Sequence, residues 1–171
     1  IEHIQQAVLI SPEQPVFLNN LGNVLKEMGE LDRSVQAYQQ ALEVAPDDAE
    51  IHNNLGVTLK EMGELDRSVQ AYQQALEINP QYAEAHNNLG NVLKEMDRLD
   101  ESVHAYQQAL KINPQYAEAH KNLSLSYLKQ GNFKQGWEEY QWRWKCDKFA
   151  AENRKDFPQP MWDGSSLDGK S

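Results

Sequence analysis

A 34-residue period governs this chain. Residues 25–43 recur at 59–77 without a change, and residues 79–86 recur at 113–120. A fixed period of that length signals supersecondary units that bury their apolar faces on one another, so the fold is to be read from one unit and its stacking. Within the unit 49–82, the apolar or small positions Leu55, Gly56, Leu59 and Met62 follow helical spacing. After Gly63 a second set, Leu65, Val69, Tyr72, Ala75 and Leu76, does the same, and Asn79-Pro80 stops it because proline cannot continue a helix. Two helices per unit make the expected fold an all-α helical solenoid with no central core.

The unit resembles the tetratricopeptide repeat, whose pattern runs aromatic, Leu-Gly, aromatic, Ala, aromatic, Pro. His52, Leu55-Gly56, Leu59, Ser68, Tyr72 and Pro80 hold those places, with His for Trp, Leu for Tyr and Ser for Ala as departures. The resemblance implies a right-handed superhelix of helix-turn-helix repeats whose first helices line a concave groove. Residues 1–14 read as the second helix of an upstream repeat that lacks its partner, which points to a longer parent array. Full repeats are expected at 15–48, 49–82 and 83–116, and a degenerate one at 117–150. Residues 151–171 read as an extended linker towards a further domain.

The net charge of −10 is unevenly placed. Residues 1–120 hold 7 basic and 19 acidic side chains, whereas residues 121–171 hold 9 and 7. An acidic array repels phosphate, so nucleic acid is not an expected partner. The single cysteine, Cys146, excludes an internal disulfide framework and fits the reducing cytoplasm. No apolar run reaches membrane-spanning length, and no signal peptide is expected. Catalytic signatures such as a phosphate loop, His-Glu-x-x-His, Cys-x-x-Cys or a nucleophile elbow are missing. We therefore expect a non-catalytic chain with no cofactor and no metal. His52, His86 and His120 do recur at the period, but successive units sit roughly 8–10 Å apart. Zinc holds its nitrogens at about 2.0–2.1 Å, so these histidines are expected to fill the slot this family gives to tryptophan.

A polar stripe lies opposite the packing face. It comprises Glu50, Asn54, Val57 and Glu61, then Glu84, Asn88, Asn91 and Glu95, preceded by Val16, Asn20, Asn23 and Glu27. Asn20, Asn54, Asn88 and Asn122 form its regular element, and a carboxamide can pair with both N–H and C=O of a peptide. An extended strand rises about 3.3 Å per residue, so stacked rungs would meet roughly every third residue of a ligand. Asparagines in this place resemble the ladder of the O-linked N-acetylglucosamine transferase superhelix, which implies an extended polypeptide as the partner. Duplication of whole repeats also accounts for copied asparagines. Asn122 weighs against it, since Lys121, Ser124 and Leu125 around it have diverged. The carboxylate-clamping branch of the family is not expected, because Glu50, Glu84, Asn53 and Asn88 stand where that branch uses Lys or Arg.

The C-terminal region supplies the remaining candidates. Phe133, Trp137, Tyr140 and Trp144 fall on one helical face and read as packing residues. Trp142 stands where Gln40, Gln74 and Gln108 stand earlier, so a second surface is expected to cover it. Phe157 and Trp162, in a proline-containing tail, and Ile4, on the unpaired first helix, are further interface candidates. The array ends therefore offer a route to homo-oligomers. The Gly136-Trp137-Glu138-Glu139-Tyr140-Gln141-Trp142-Arg143-Trp144 helix and its tail resemble the junction between a bacterial repeat array and a glycosyltransferase domain. That likeness implies, as an alternative, the substrate-guiding arm of such an enzyme.

Overall fold

A computed structural model describes residues 14–146. Ile4, Phe157, Trp162, the upstream helix and the tail lie outside those residues. Among the described residues nine helical segments follow: α1 (Pro15–Glu27), α2 (Leu31–Val44), α3 (Ala49–Glu61), α4 (Leu65–Ile78), α5 (Ala83–Glu95), α6 (Leu99–Ile112), α7 (Ala117–Lys129), α8 (Phe133–Tyr140) and α9 (Arg143–Cys146). From α1 to α8 each helix packs on its sequence neighbours, and α9 packs back on α7, so the array is a solenoid of helix pairs. The first helices of successive repeats also touch one another, α1 with α3, α3 with α5 and α5 with α7. The second helices are not in this closer contact, which makes the first helices the inner wall.

Both turn types follow from sequence. Within a repeat, Gly29, Gly63 and Gly131 sit at φ 78°. There the Gly63 N–H reaches the Lys60 carbonyl at 2.9 Å and the Glu64 N–H reaches that of Leu59 at 2.9 Å, satisfying two orphan carbonyls of the helix end. Asp97 takes the same left-handed place at φ 61°, and its carboxylate is paired with Lys129. Between repeats, Asn79 and Asn113 are extended ahead of their prolines, as the residue before proline must be. The Asn79 and Asn113 carboxamides accept from the backbone two residues on, each at 3.1 Å.

One packing contact repeats at the centre of each pair. Tyr38, Tyr72 and Tyr106 are fully buried, and their rings lie against Gly22, Gly56 and Gly90. A β-carbon on those glycines would come within 2.5–2.8 Å of a ring carbon, so only glycine admits the ring. Ser34 and Ser68 tie the same crossing by donating to the Gly22 and Gly56 carbonyls at 2.8 and 2.7 Å. The core is consequently a succession of clusters. The first holds Leu18, Tyr38, Ile51 and Leu59, the second Val69, Tyr72, Val92 and Leu93, and the third Tyr106, Leu123 and Tyr127.

The fourth repeat departs from this plan. Ser124 occupies the glycine place opposite Tyr140, and Gly136 occupies the serine place on α8. The close approach moves with the glycine: a β-carbon on Gly136 would meet Leu128 at 2.7 Å. Without a glycine to receive its ring, Tyr140 is only half-buried and α8 stops there, the chain resuming as the short α9. The single aromatic face expected across Phe133–Trp144 is accordingly broken, and Phe133 is exposed. Trp142 is half-buried within its own repeat: it stacks on His120 with centroids 3.8 Å apart, and the Lys145 ammonium lies 3.6 Å from its ring centre.

Candidate functional site

The inner wall carries its side chains in rows, because positions three and four apart share one face of each first helix. Glu50, Glu84 and Glu118 stand in the first turns of α3, α5 and α7. Lys26, Lys60 and Lys94 stand in the last turns of α1, α3 and α5, with the exposed Glu27, Glu61 and Glu95 beside them. One end of the wall thus carries carboxylates alone, and the other carries lysines interleaved with carboxylates. The difference shows in the neighbouring groups. Burial, then Glu84, pushes the Tyr82 phenol up to about 12, and burial, then Glu118, does the same to Tyr116. At the far end burial, then Lys60 and Lys121, pulls Lys94 down.

Between these ends runs the carboxamide row, and it is wired across repeats. Asn54 Nδ2 donates to Asn19 Oδ1, Asn88 Nδ2 to Asn53 Oδ1, and Asn122 Nδ2 to Asn87 Oδ1, all at 3.1 Å. Asn19 in turn donates to Glu50 at 3.4 Å. The acceptors are the deeper members: Asn19 is 8% exposed, Asn53 and Asn87 1% each. The sequence reading gives Asn19 and Asn87 no role and places Asn53 only among the positions where the carboxylate-clamping branch uses Lys or Arg. Their signal was available, since each precedes a row asparagine and so lies about 100° around the helix, towards the packing face.

The expected rungs differ in what they offer. Asn20 is exposed and Asn54 and Asn88 are half-buried, so carboxamide surface remains for a ligand beyond the cross-repeat bond. Asn122 departs from expectation: at 6% exposure, with its amide committed to Asn87, it presents little to the groove. Asn23 and Asn91 accept from the buried Tyr38 and Tyr106 hydroxyls at 2.7 and 2.8 Å, which uses one lone pair of each oxygen. Val57 fills that place in the middle repeat and breaks the row.

The histidines serve the turns. His52, His86 and His120 donate from Nε2 to the carbonyls of Pro46, Pro80 and Pro114 at 2.8, 3.1 and 3.1 Å. His120 is also paired through Nδ1 with Glu139. Among the described residues no group of three or more His, Cys, Asp or Glu is arranged to hold a metal. Burial pushes the Cys146 thiol up, away from the thiolate a nucleophile needs. Burial lowers the pKa of His86, so the unfolded chain takes up a proton at this residue before the folded one does. Stability is therefore full above about 6.5 and declines as pH falls towards the lowered folded value. His86→Gln should flatten part of the fall in melting temperature between pH 7.5 and 5.5. An unchanged slope in thermal melts would contradict the assignment.

Helix pairs stacked along one axis, joined by a glycine turn within each pair and a proline stop between pairs, define a repeat solenoid whose working surface is its inner wall. A family model described as TPR repeat matches residues 22–63, 58–97 and 90–131, and the chain belongs to the tetratricopeptide repeat family. None of the curated proteins matches it. Among solved structures, MamA is similar over 87% of this chain and 87% of its own, with a TM-score of 0.77 and 21% identity. MamA from Desulfovibrio magneticus RS-1, residue 41 to the end, covers 90% and 85%, with 0.76 and 17%. The first TPR of Spaghetti (RPAP3) bound to the HSP90 peptide SRMEEVD covers 69% and 94%, with 0.67 and 18%. At these identities the likeness is one of fold. No helix among the described residues is long and apolar enough to cross a membrane.

Proposed function

We propose that this chain is a non-catalytic interaction scaffold that holds an extended polypeptide along its inner wall, with Asn20, Asn54 and Asn88 as rungs and Asn23, Asn91 and the flanking Glu50, Glu84, Glu61 and Glu95 lining its path. The observation that carries this reading is the cross-repeat bonding. Asn19 and Asn53 fix the orientation of Asn54 and Asn88 while leaving them half-exposed, so the rungs are set before a ligand arrives. Pre-set groups lose less entropy on binding. The RPAP3 domain holds a peptide on the same fold, which supports a peptide as the ligand class.

Magnitudes bound the affinity. A hydrogen bond nets about 0.5–1.5 kcal/mol, so a few rungs supply roughly 2–5 kcal/mol before ordering costs. Binding to a short peptide should then lie near the millimolar range. Asn54→Ala with Asn88→Ala should weaken a neutral extended peptide by about 5-fold or more, read by amide shift changes on titration. The same variant forfeits two structural bonds, so a stability loss of about 1–3 kcal/mol accompanies it, and binding is compared well below the melting range. Peptide affinity unaltered in the folded double variant would sink the reading.

A guiding arm for a glycosyltransferase is a second form of the same function, supported by the Gly136–Trp144 sequence and the carboxamide row. Translation of the gene past Ser171 tests it, with alternating strand and helix patterns expected. Self-assembly through the array ends is a third form, for which the half-buried Trp142 remains a candidate surface beside its stack on His120.

A further inference from the structure

Between α4 and α6, on the side of the array away from the inner wall, lies a depression of about 430 Å³. Leu76 of α4, Leu89 and Leu93 of α5 and Ala105 of α6 supply its apolar lining, and His86 and Gln108 border it. His86, Leu89 and Leu93 stand on the face of α5 opposite the stripe of Asn88, Asn91 and Glu95. An opening at this place follows from the curvature of the array, since first helices touch across repeats and second helices come less close. Curvature accounts for the gap and leaves its contents open.

The fourth repeat shows what such a gap takes. One period on from His86, His120 carries the Trp142 indole, stacked at 3.8 Å between centroids with the planes 10° apart. The two histidines are set alike, each giving its Nε2 hydrogen to the proline carbonyl six residues earlier at 3.1 Å. Their surroundings differ at two places. Glu139 pairs with His120 through Nδ1, whereas Ala105, one period before Glu139, offers no polar group. Trp142 corresponds to Gln108, which has no ring and whose amide is bonded to His104 at 3.0 Å. The third repeat therefore keeps the half-buried imidazole and lacks the ring that would face it. The rim adds a charge. Asp100 and Glu101 stand there with one cation, Arg98, which Glu101 already pairs at 2.6 Å. A positive group on a ligand complements that rim. Trp142 has such a group three residues on, in the Lys145 ammonium 3.6 Å from its ring centre.

We propose that this depression is a second docking site, which receives the tryptophan side chain of a partner polypeptide carrying a lysine three residues after it. The indole lies against His86 among the leucines, and the lysine is directed to Asp100, which among the described residues otherwise accepts only from the Gln130 amide. A tryptophan brings about 150–250 Å² of apolar surface and gains further from stacking on another ring, so one residue anchors the contact. The site faces away from the carboxamide row, so it does not depend on the groove reading, and the scaffold can hold two ligands at once.

The test uses the chain of 171 residues and fluorescently labelled, amidated nine-residue peptides of glycine, serine and alanine that carry tryptophan and lysine three apart. The tryptophan peptide should bind about 5-fold or more tighter than the same peptide with leucine or alanine in that place. Glutamine for lysine should weaken it by about 2-fold, a difference that added salt removes. Gln108→Trp, which brings an indole to the depression from within the chain, should abolish the gain. His86→Gln should reduce it in a chain that remains folded, and Asn54→Ala with Asn88→Ala should leave it unchanged. Equal affinity for the leucine peptide overturns the proposal, as does a gain that survives Gln108→Trp in a folded variant or is lost with Asn54 and Asn88. Tighter binding by Trp162→Ala would assign the depression to this chain's own tail and overturn the assignment to a partner. Failure of every peptide to bind also overturns it, and leaves the groove reading to its own test with a peptide that lacks tryptophan.

Discussion

Tyr72→Ala is expected to cost about 3–5 kcal/mol and Gly56→Ala about 1–3 kcal/mol, although the second change adds a single methyl group. The ring of Tyr72 is 1% exposed and lies where the β-carbon of residue 56 would stand, 2.8 Å from the nearest ring carbon. The ring has nowhere to go, since it is clamped between α3 and α4 at the crossing that Ser68 ties by its bond to the Gly56 carbonyl. The two changes should therefore be strongly coupled. In Gly56→Ala/Tyr72→Ala the methyl group occupies space the ring has vacated, and the total cost should fall below the sum of the single costs. Urea unfolding of the four proteins, followed by helical circular dichroism, gives the cycle directly. Additive costs would show that glycine and tyrosine do not share this space. A central repeat is the right place for the experiment, because each unit is stabilised mainly by its neighbours and damage there divides the array.

The same pairing explains which parts of the fold were legible in the sequence. The period, the helical spacing and the turn residues place α1 to α7, because each acts locally: Gly63 ends a helix by its backbone conformation, and Pro80 by its missing N–H. The end of α8 was hidden, since Phe133, Trp137, Tyr140 and Trp144 keep helical spacing regardless of whether a glycine faces Tyr140. That requirement is a contact between helices, and spacing along one helix does not record it. The local setting of Trp142 was hidden for a related reason. Its alignment with Gln40, Gln74 and Gln108 assumes an unbroken helix, and after the break at Tyr140 it stacks on His120. The charge of the wall was read as a sum, which made it acidic. The order was in the sequence all along, with Glu84 and Lys94 ten residues, or about 15 Å, apart on one helix.

Asn87→Ala should be the most costly change in the carboxamide row, at about 1–3 kcal/mol, while Asn19→Ala should cost no more than about 1 kcal/mol. Both changes remove an acceptor for an amide donor 3.1 Å away and one further side-chain bond, Asn19 to Glu50 and Asn87 to Tyr116, so burial decides the difference. When Asn19 is truncated, half-exposed Asn54 turns its N–H to water. When Asn87 is truncated, Asn122 keeps an unsatisfied donor at 6% exposure, and the Asn87 site itself is 1% exposed. An unmet buried donor costs its desolvation, which water repays in one case and not in the other. Asn87→Ala/Asn122→Ala should accordingly recover part of the loss, since it removes the stranded donor together with its partner. Denaturant midpoints for the three variants and the parent decide the matter. Equal costs for Asn19→Ala and Asn87→Ala would mean that burial does not set the strength of these bonds. The rungs would then be only loosely held at every level, and the argument that Asn54 and Asn88 are oriented before a polypeptide arrives would fail with it.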